Sequence, residues 1–174
     1  MKRRKFIKLG LLGSSSVLAY SPSLGTIQAS SDTLNVGVIG TGSRGQGLLS
    51  LINKAEGINT IACSDILPFR LAKGLAIASK YGKAKGYKNY KKLLDNKDLD
   101  CVFISTPFSE HGQMALDAID AGKHVYCEKT MVKGIQETKK VVEKVVSSRR
   151  IFQTGHQYHS SRLYKHVVNK IKRG

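Results

Sequence analysis

Three short stretches of this sequence set chemically capable residues at telling intervals. In "GKHVYCEKTM", Gly122 to Met131, four strand-like residues run straight into an acid and a base, Glu128 and Lys129. A turn residue or a helix cap is the usual end of such a strand, so the pair asks what it faces. In the second stretch, Gly40-Thr41-Gly42-Ser43-Arg44-Gly45 fits G-x-G-x-x-G. Gly40 permits a tight turn, Gly42 lets the backbone approach a pyrophosphate, and Gly45 lets a helix pack close to a strand. The pyrophosphate would then lie on free N–H groups at the positive end of that helix. In the third, "INTIACSD" ends in Asp65, 20 positions after Gly45. An acid there accepts hydrogen bonds from adenosine ribose hydroxyls and repels a 2′-phosphate, which favours NAD over NADP. Arg44 and Arg70 keep NADP open, since either can reach a 2′-phosphate. Asp65 also reads as a helix cap, because Pro68 follows three residues on, and the two roles are compatible.

The elements that must position these groups alternate. "TLNVGVIG" is a short apolar strand without helical period, and the glycine turn opens an amphipathic helix. After the strand that ends at Asp65, a helix runs from Pro68 to about Lys80. "YKNYKKLLDNKDL" is a short helix and "DCVFIST" a fully buried strand, broken at its carboxyl end by Thr106-Pro107. "SEHGQMALDAIDAGK" and "GIQETKKVVEKVVSS" are helices on either side of "HVYCEK", and "RIFQTGH" is a last strand. Such alternation predicts an α/β fold with a Rossmann-type, doubly wound parallel sheet and right-handed crossovers. Ligands bind such sheets outside the carboxyl ends of the strands. The glycine turn, Asp65, Thr106-Pro107 and Glu128-Lys129 all fall at those ends.

Composition sets the bounds. At 174 residues the chain suits one domain, and 41% hydrophobic with 24% charged residues is ordinary for a globular protein. The net charge of +17 includes five basic residues and no acid within residues 1–29; the rest holds 24 basic against 12 acidic residues, a net of +12. The lysines are scattered through helices and form no stripe interleaved with aromatics, so a solvated basic surface is expected and no nucleic-acid partner. Cys63, Cys101 and Cys127 each sit in or at the end of an apolar strand-like run, as buried free thiols do, and their spacing offers no metal site.

The N-terminus, "MKRRKFIKLGLLGSSSVLAYSP", has a basic region, an apolar segment from Leu9 to Tyr20, and a Ser/Pro/Gly-rich region. The apolar run is shorter than the roughly 20 residues of a spanning helix, so no stable membrane span is expected. Arg3-Arg4-Lys5-Phe6-Ile7-Lys8 resembles a twin-arginine signal, with Lys2 in place of the usual Ser or Thr. Residues 1–29 are therefore expected to be a signal peptide read by the twin-arginine translocase, cleaved near Ala29, and the protein to be periplasmic.

Over about residues 33–174 the chain resembles the glucose–fructose oxidoreductase, inositol dehydrogenase and rhizopine-catabolism family (Gfo/Idh/MocA). The resemblance rests on "VGVIGTGSRGQG", "CSD", "DCVFISTPFSEHGQMALDAIDAGKHVYCEK" and, more loosely, "FQTGHQYHSSRLY". It implies a nicotinamide-dependent oxidoreductase that acts on a sugar or polyol. Gly40, Gly42 and Gly45, with the backbone near Ser43 and Arg44, would hold the pyrophosphate, and Asp65 the adenosine ribose. Thr106, Pro107 and His111 would line the cofactor's path toward the nicotinamide. Glu128 and Lys129 match the family's E-K-P motif, whose lysine contacts the substrate oxygen near the hydride-transfer carbon; Lys129 would polarise that oxygen or pass a proton. His156, Gln157 and Tyr164 would line the substrate side or serve packing.

Two departures stand out. Thr130 replaces the motif's proline, and His159 and Arg162 stand where relatives often carry Arg and Pro. The family also implies a second α/β domain. The expected organisation is a dinucleotide-binding domain over residues 33–155, with residues 156–174 beginning a connection to a missing substrate domain. A face left bare in this way would favour self-association. Two other functions stay open: a glycoside hydrolase that recycles its NAD, and a dinucleotide-binding fragment without activity.

Overall fold

A computed structural model of the protein describes residues 33–173. The expected signal peptide lies outside the described residues. The chain alternates as β1 (Leu34–Ile39), α1 (Ser43–Ile52), β2 (Ile58–Ser64), α2 (Pro68–Ala78), β3 (Lys85–Tyr87), α3 (Tyr90–Leu94) and β4 (Cys101–Ile104). It continues as α4 (His111–Asp120), β5 (His124–Cys127), α5 (Ile135–Ser148), β6 (Phe152–Thr154) and α6 (Arg162–Arg173). Short 3-10 turns at Phe108–Glu110 and Gln157–Ser160 precede α4 and α6.

All strand pairs are parallel, in the order β3-β2-β1-β4-β5-β6. Alternating side chains of one strand face opposite layers. On one face Val36 and Val38 pack with Leu48, Leu49 and Ile52 of α1 and Ala78 of α2. On the other, Ile39, Val102 and Ile104 pack with Leu93 of α3 and Ala115, Ala118 and Ile119 of α4. The central strands β1 and β4 are thus covered on both sides, as strands of a parallel sheet usually are. The doubly wound sheet expected from the alternation of elements is present. The three cysteines are free and buried among these side chains. Burial pushes the thiols of Cys63 and Cys127 up to about 12 and that of Cys101 to about 11, which keeps them protonated and poor nucleophiles.

Two elements escape the sequence reading. Lys85-Gly86-Tyr87 carries no apolar run, yet pairs with Ala62–Ser64 as an edge strand. Residues 162–173 form a helix with no buried side chain, its apolar residues Leu163, Tyr164, Val167, Val168 and Ile171 all exposed. Among the described residues no helix is long and apolar enough to cross a membrane.

The chain reverses direction of winding between β1 and β4, which are neighbours in the sheet. Their carboxyl ends flank the crevice where a doubly wound sheet takes its ligand.

Candidate functional site

The turn after β1 is shaped by its glycines. Gly40 adopts φ +87°, a left-handed conformation, and a Cβ on it would stand 2.9 Å from the Ser105 backbone. The Ser105 hydroxyl donates to the Gly40 carbonyl at 2.6 Å, joining the ends of β1 and β4. A Cβ on Gly45 would overlap the Gly40 carbonyl oxygen, so only glycine lets α1 start this close to β1. Gly42 differs: the nearest atom to a Cβ there is Arg70 Nη1, at 3.8 Å. Its open side faces a groove of about 540 Å³, walled by Gly40, Asp65, Arg70, Tyr90, Thr106 and Pro107 among others. No side chain caps α1, whose Ncap is Gly42 itself. The first N–H groups of that helix, at Ser43 and Arg44, are therefore left for another acceptor.

Asp65 closes the far side. Its Oδ2 accepts from the Thr41 amide at 2.8 Å and the Thr41 hydroxyl at 3.2 Å, and its Oδ1 accepts from the Leu67 amide at 2.9 Å. The last bond is the Asx turn that leads into α2 at Pro68, so Asp65 shapes the helix start while presenting a carboxylate to the groove. A glycine turn with room at Gly42, an uncapped helix N-terminus and a fixed carboxylate fit the pyrophosphate and ribose of a dinucleotide.

At the next strand ends the arrangement differs from the expectation for three residues. Arg44 does not face the Asp65 end of the groove. Its Nε donates to Glu128 Oε1 at 2.7 Å, with Nη2 donating to the same oxygen and, at 3.3 Å, to Gln157 Oε1. The hydrogen bond to Glu128 raises the guanidinium above its ordinary value, partly opposed by burial. Glu128, 5% exposed, thus holds a cation from the glycine turn, and its carboxylate does not open onto the groove. His111 also lies behind the groove wall. It is 1% exposed, with Nδ1 2.8 Å from the Thr130 carbonyl oxygen and Nε2 2.9 Å from that of Thr106. A neutral ring donates to one of these oxygens and an imidazolium to both. The His111 ring stands between the Thr106-Pro107 segment, which does line the groove, and the residue after Lys129.

Lys129 is exposed, and the peptide joining it to Thr130 is cis. It shares a cavity of about 290 Å³ with Gly155, His156, Gln157, Tyr158 and His159. The structure therefore brings His156 and Gln157 to Lys129. Tyr164 lines a neighbouring depression and stacks on Tyr158 at 5.1 Å between ring centroids. The motif reading passed over Thr41, because the middle position of G-x-G is unconstrained; its complete burial and its bonds to Asp65 emerge only when β1 and β2 pair. Lys88 and Tyr90, in the groove wall, carry no motif signal, whereas Arg70, singled out in the sequence, does line the groove. Among the described residues no group of acidic, histidine and cysteine side chains is placed to hold a metal.

Fold and groove together define a dinucleotide-binding module. Residues 34–156 match the model of an oxidoreductase family with an NAD-binding Rossmann fold, and the chain belongs to that family, Gfo/Idh/MocA. Over 145 residues it is 30% identical to the inositol 2-dehydrogenase of Salmonella paratyphi B (strain ATCC BAA-1250 / SPB7), covering 82% of this chain and 42% of that protein. Over 133 residues it is 32% identical to a protein of Shewanella sp. (strain ANA-3) named glycosyl hydrolase family 109 protein 2, covering 73% of this chain and 29% of that one. The crystal structure of scyllo-inositol dehydrogenase from Lactobacillus casei with bound NAD(H) and scyllo-inositol superposes with a TM-score of 0.74 at 23% identity, over 82% of this chain and 42% of that one. The chain thus spans less than half the length of each of these relatives.

Proposed function

We propose that the protein is the cofactor-binding part of an NAD-dependent oxidoreductase acting on a sugar or polyol. The observation that carries this reading is the groove at the β1/β4 switch point, where a glycine turn, an uncapped helix and a fixed carboxylate converge. Gly40, Gly42, Gly45 and the backbone at Ser43 and Arg44 would hold the pyrophosphate, and Asp65 the adenosine ribose. Bound NAD supplies hydride acceptance and return. Lys129, on the solvent side of the β5 end, donates a hydrogen bond to the reacting oxygen and exchanges a proton with it. Arg44 and Glu128 fix the start of the segment that carries Lys129. His156 and Gln157, in the same cavity, orient the substrate hydroxyls.

The inositol dehydrogenases among the similar proteins support a polyol as substrate. The family 109 relative supports a second reading, a glycoside hydrolase that uses and regenerates NAD. Residues 1–29 support export by the twin-arginine route to the periplasm, which would deliver the protein folded with its cofactor. The first test is to denature the purified protein and identify any released nucleotide by mass, then to titrate NAD and NADP by calorimetry. Incubation with inositols and with aryl glycosides separates the two readings: a ketone marks oxidation, and a released aglycone marks hydrolysis. A protein that neither carries nor binds either nucleotide refutes both.

A further inference from the structure

The adenosine end of the groove holds opposing charges. Asp65 lines it together with Arg70 and Lys88. Two cations in one wall would welcome the extra phosphate of NADP, and a carboxylate free to turn aside would let them do so. Beside the Leu67 amide, what keeps Asp65 in place is Thr41. This side chain is fully buried. Its methyl lies against Gly74 of α2 so closely that a Cβ on Gly74 would overlap it. Its carbonyl accepts from Gln46 Nε2 at 2.9 Å. A β-branched side chain is stiff at χ1, and this packing narrows Thr41 toward the rotamer it adopts. That rotamer aims the hydroxyl at Asp65 Oδ2, beside the Thr41 amide.

A carboxylate offers about four lone-pair positions. Thr41 fills both on Oδ2, and the Leu67 amide fills one on Oδ1. One acceptor position remains, on Oδ1. It suits a hydroxyl, which donates, and repels a phosphate, which offers only acceptors and negative charge.

We propose that Thr41 is the specificity residue of the adenosine end: by pinning Asp65 with its hydroxyl and amide, it holds the groove to NAD although Arg70 and Lys88 stand in the wall. The proposal rests on the dinucleotide reading above. In the Thr41→Val protein the hydroxyl is gone while the amide and the shape remain. Asp65 then turns more freely, NAD binding must bear the cost of ordering it, and a 2′-phosphate can reach the cations.

The test is calorimetric titration of the full chain with NAD and with NADP, for wild type, Thr41→Val and Thr41→Ser. The expected result is a preference for NAD that falls about tenfold in Thr41→Val and is kept in Thr41→Ser, as loss of one hydrogen bond to a charged group implies. Adding Arg70→Met to Thr41→Val should restore the rejection of NADP, which a merely structural role of Thr41 would not bring about. Should valine crowd Gly74 and unfold the chain, Thr41→Ala removes the same hydroxyl without the second methyl. Wild-type protein that binds neither nucleotide overturns the dinucleotide reading and this proposal with it. NAD binding by wild type, with the preference unchanged in Thr41→Val and Thr41→Ala or lost in Thr41→Ser, overturns this proposal alone.

Discussion

The two ends of the carboxyl edge are built differently. At the Asp65 end, Thr41 is fully buried, Asp65 accepts three hydrogen bonds, and Gly40 and Gly45 are locked against Ser105 and each other. At the β5–β6 end, Lys129, His156, Gln157, Tyr158 and His159 are all exposed, and the fixed features are the Arg44–Glu128 pair and His111 behind them. The first end is finished by one strand–turn–helix unit and the strands beside it. The second is a rim of side chains with one wall. The Asp65 end is therefore preorganised, whereas the side chains at the other end are exposed, and ordering them on a ligand would cost free energy.

Substitutions should separate the two ends. Gly45→Ala puts a methyl onto the Gly40 carbonyl, and should lower stability by about 3 kcal/mol and abolish NAD binding; thermal melts with calorimetry would show both. If binding survives, the Asp65 end is more pliable than its packing implies. Arg44→Met leaves the Glu128 carboxylate buried without its cation, at a cost of about 2 kcal/mol. Chemical denaturation would read it, and Arg44→Met with Glu128→Gln should recover part of the loss.

A smaller effect concerns the sheet's far layer. Asp117 is pushed up by burial but held below its ordinary value by hydrogen bonds from Tyr90, Gln113 and Lys91. A carboxyl with a lowered folded-state value contributes stability above its unfolded value of 3.8 and loses it as pH falls through the folded one. Wild type should therefore lose about 1 kcal/mol relative to Asp117→Asn between pH 6 and the acid limb, followed by melting temperature against pH. The least change is expected from Lys129→Met. Because Lys129 is exposed, stability should move by less than about 0.5 kcal/mol and NAD affinity should be unaltered, while any turnover is lost. A large fall in NAD affinity would mean that the two ends are coupled through Glu128.

Much of the framework was legible because its causes are local. An apolar run before G-x-G-x-x-G, an acid at the end of the next strand and helices between strands specify the parallel sheet and its ligand edge through strand length, glycine sterics and apolar periodicity. Glu128 and Lys129 were legible as a pair at a strand end. Their unequal fates were not, since the ion pair joins residues 84 positions apart. For the same reason His111 reads as a groove residue in sequence and comes to stand buried between two carbonyls in the fold. β3 was missed because an edge strand of three residues needs only backbone pairing and leaves no apolar signature.

By itself, then, the sequence determined the class of fold, the glycine turn and the strand ends where chemistry belongs, because these follow from short-range sterics and periodic burial. Tertiary structure alone decided which side chains are spent on one another: Thr41 on Asp65, Arg44 on Glu128 and His111 on Thr106 and Thr130. Such pairings depend on strand register and on which helix meets which strand, and no local pattern encodes the distance between residues that only the assembled sheet brings together.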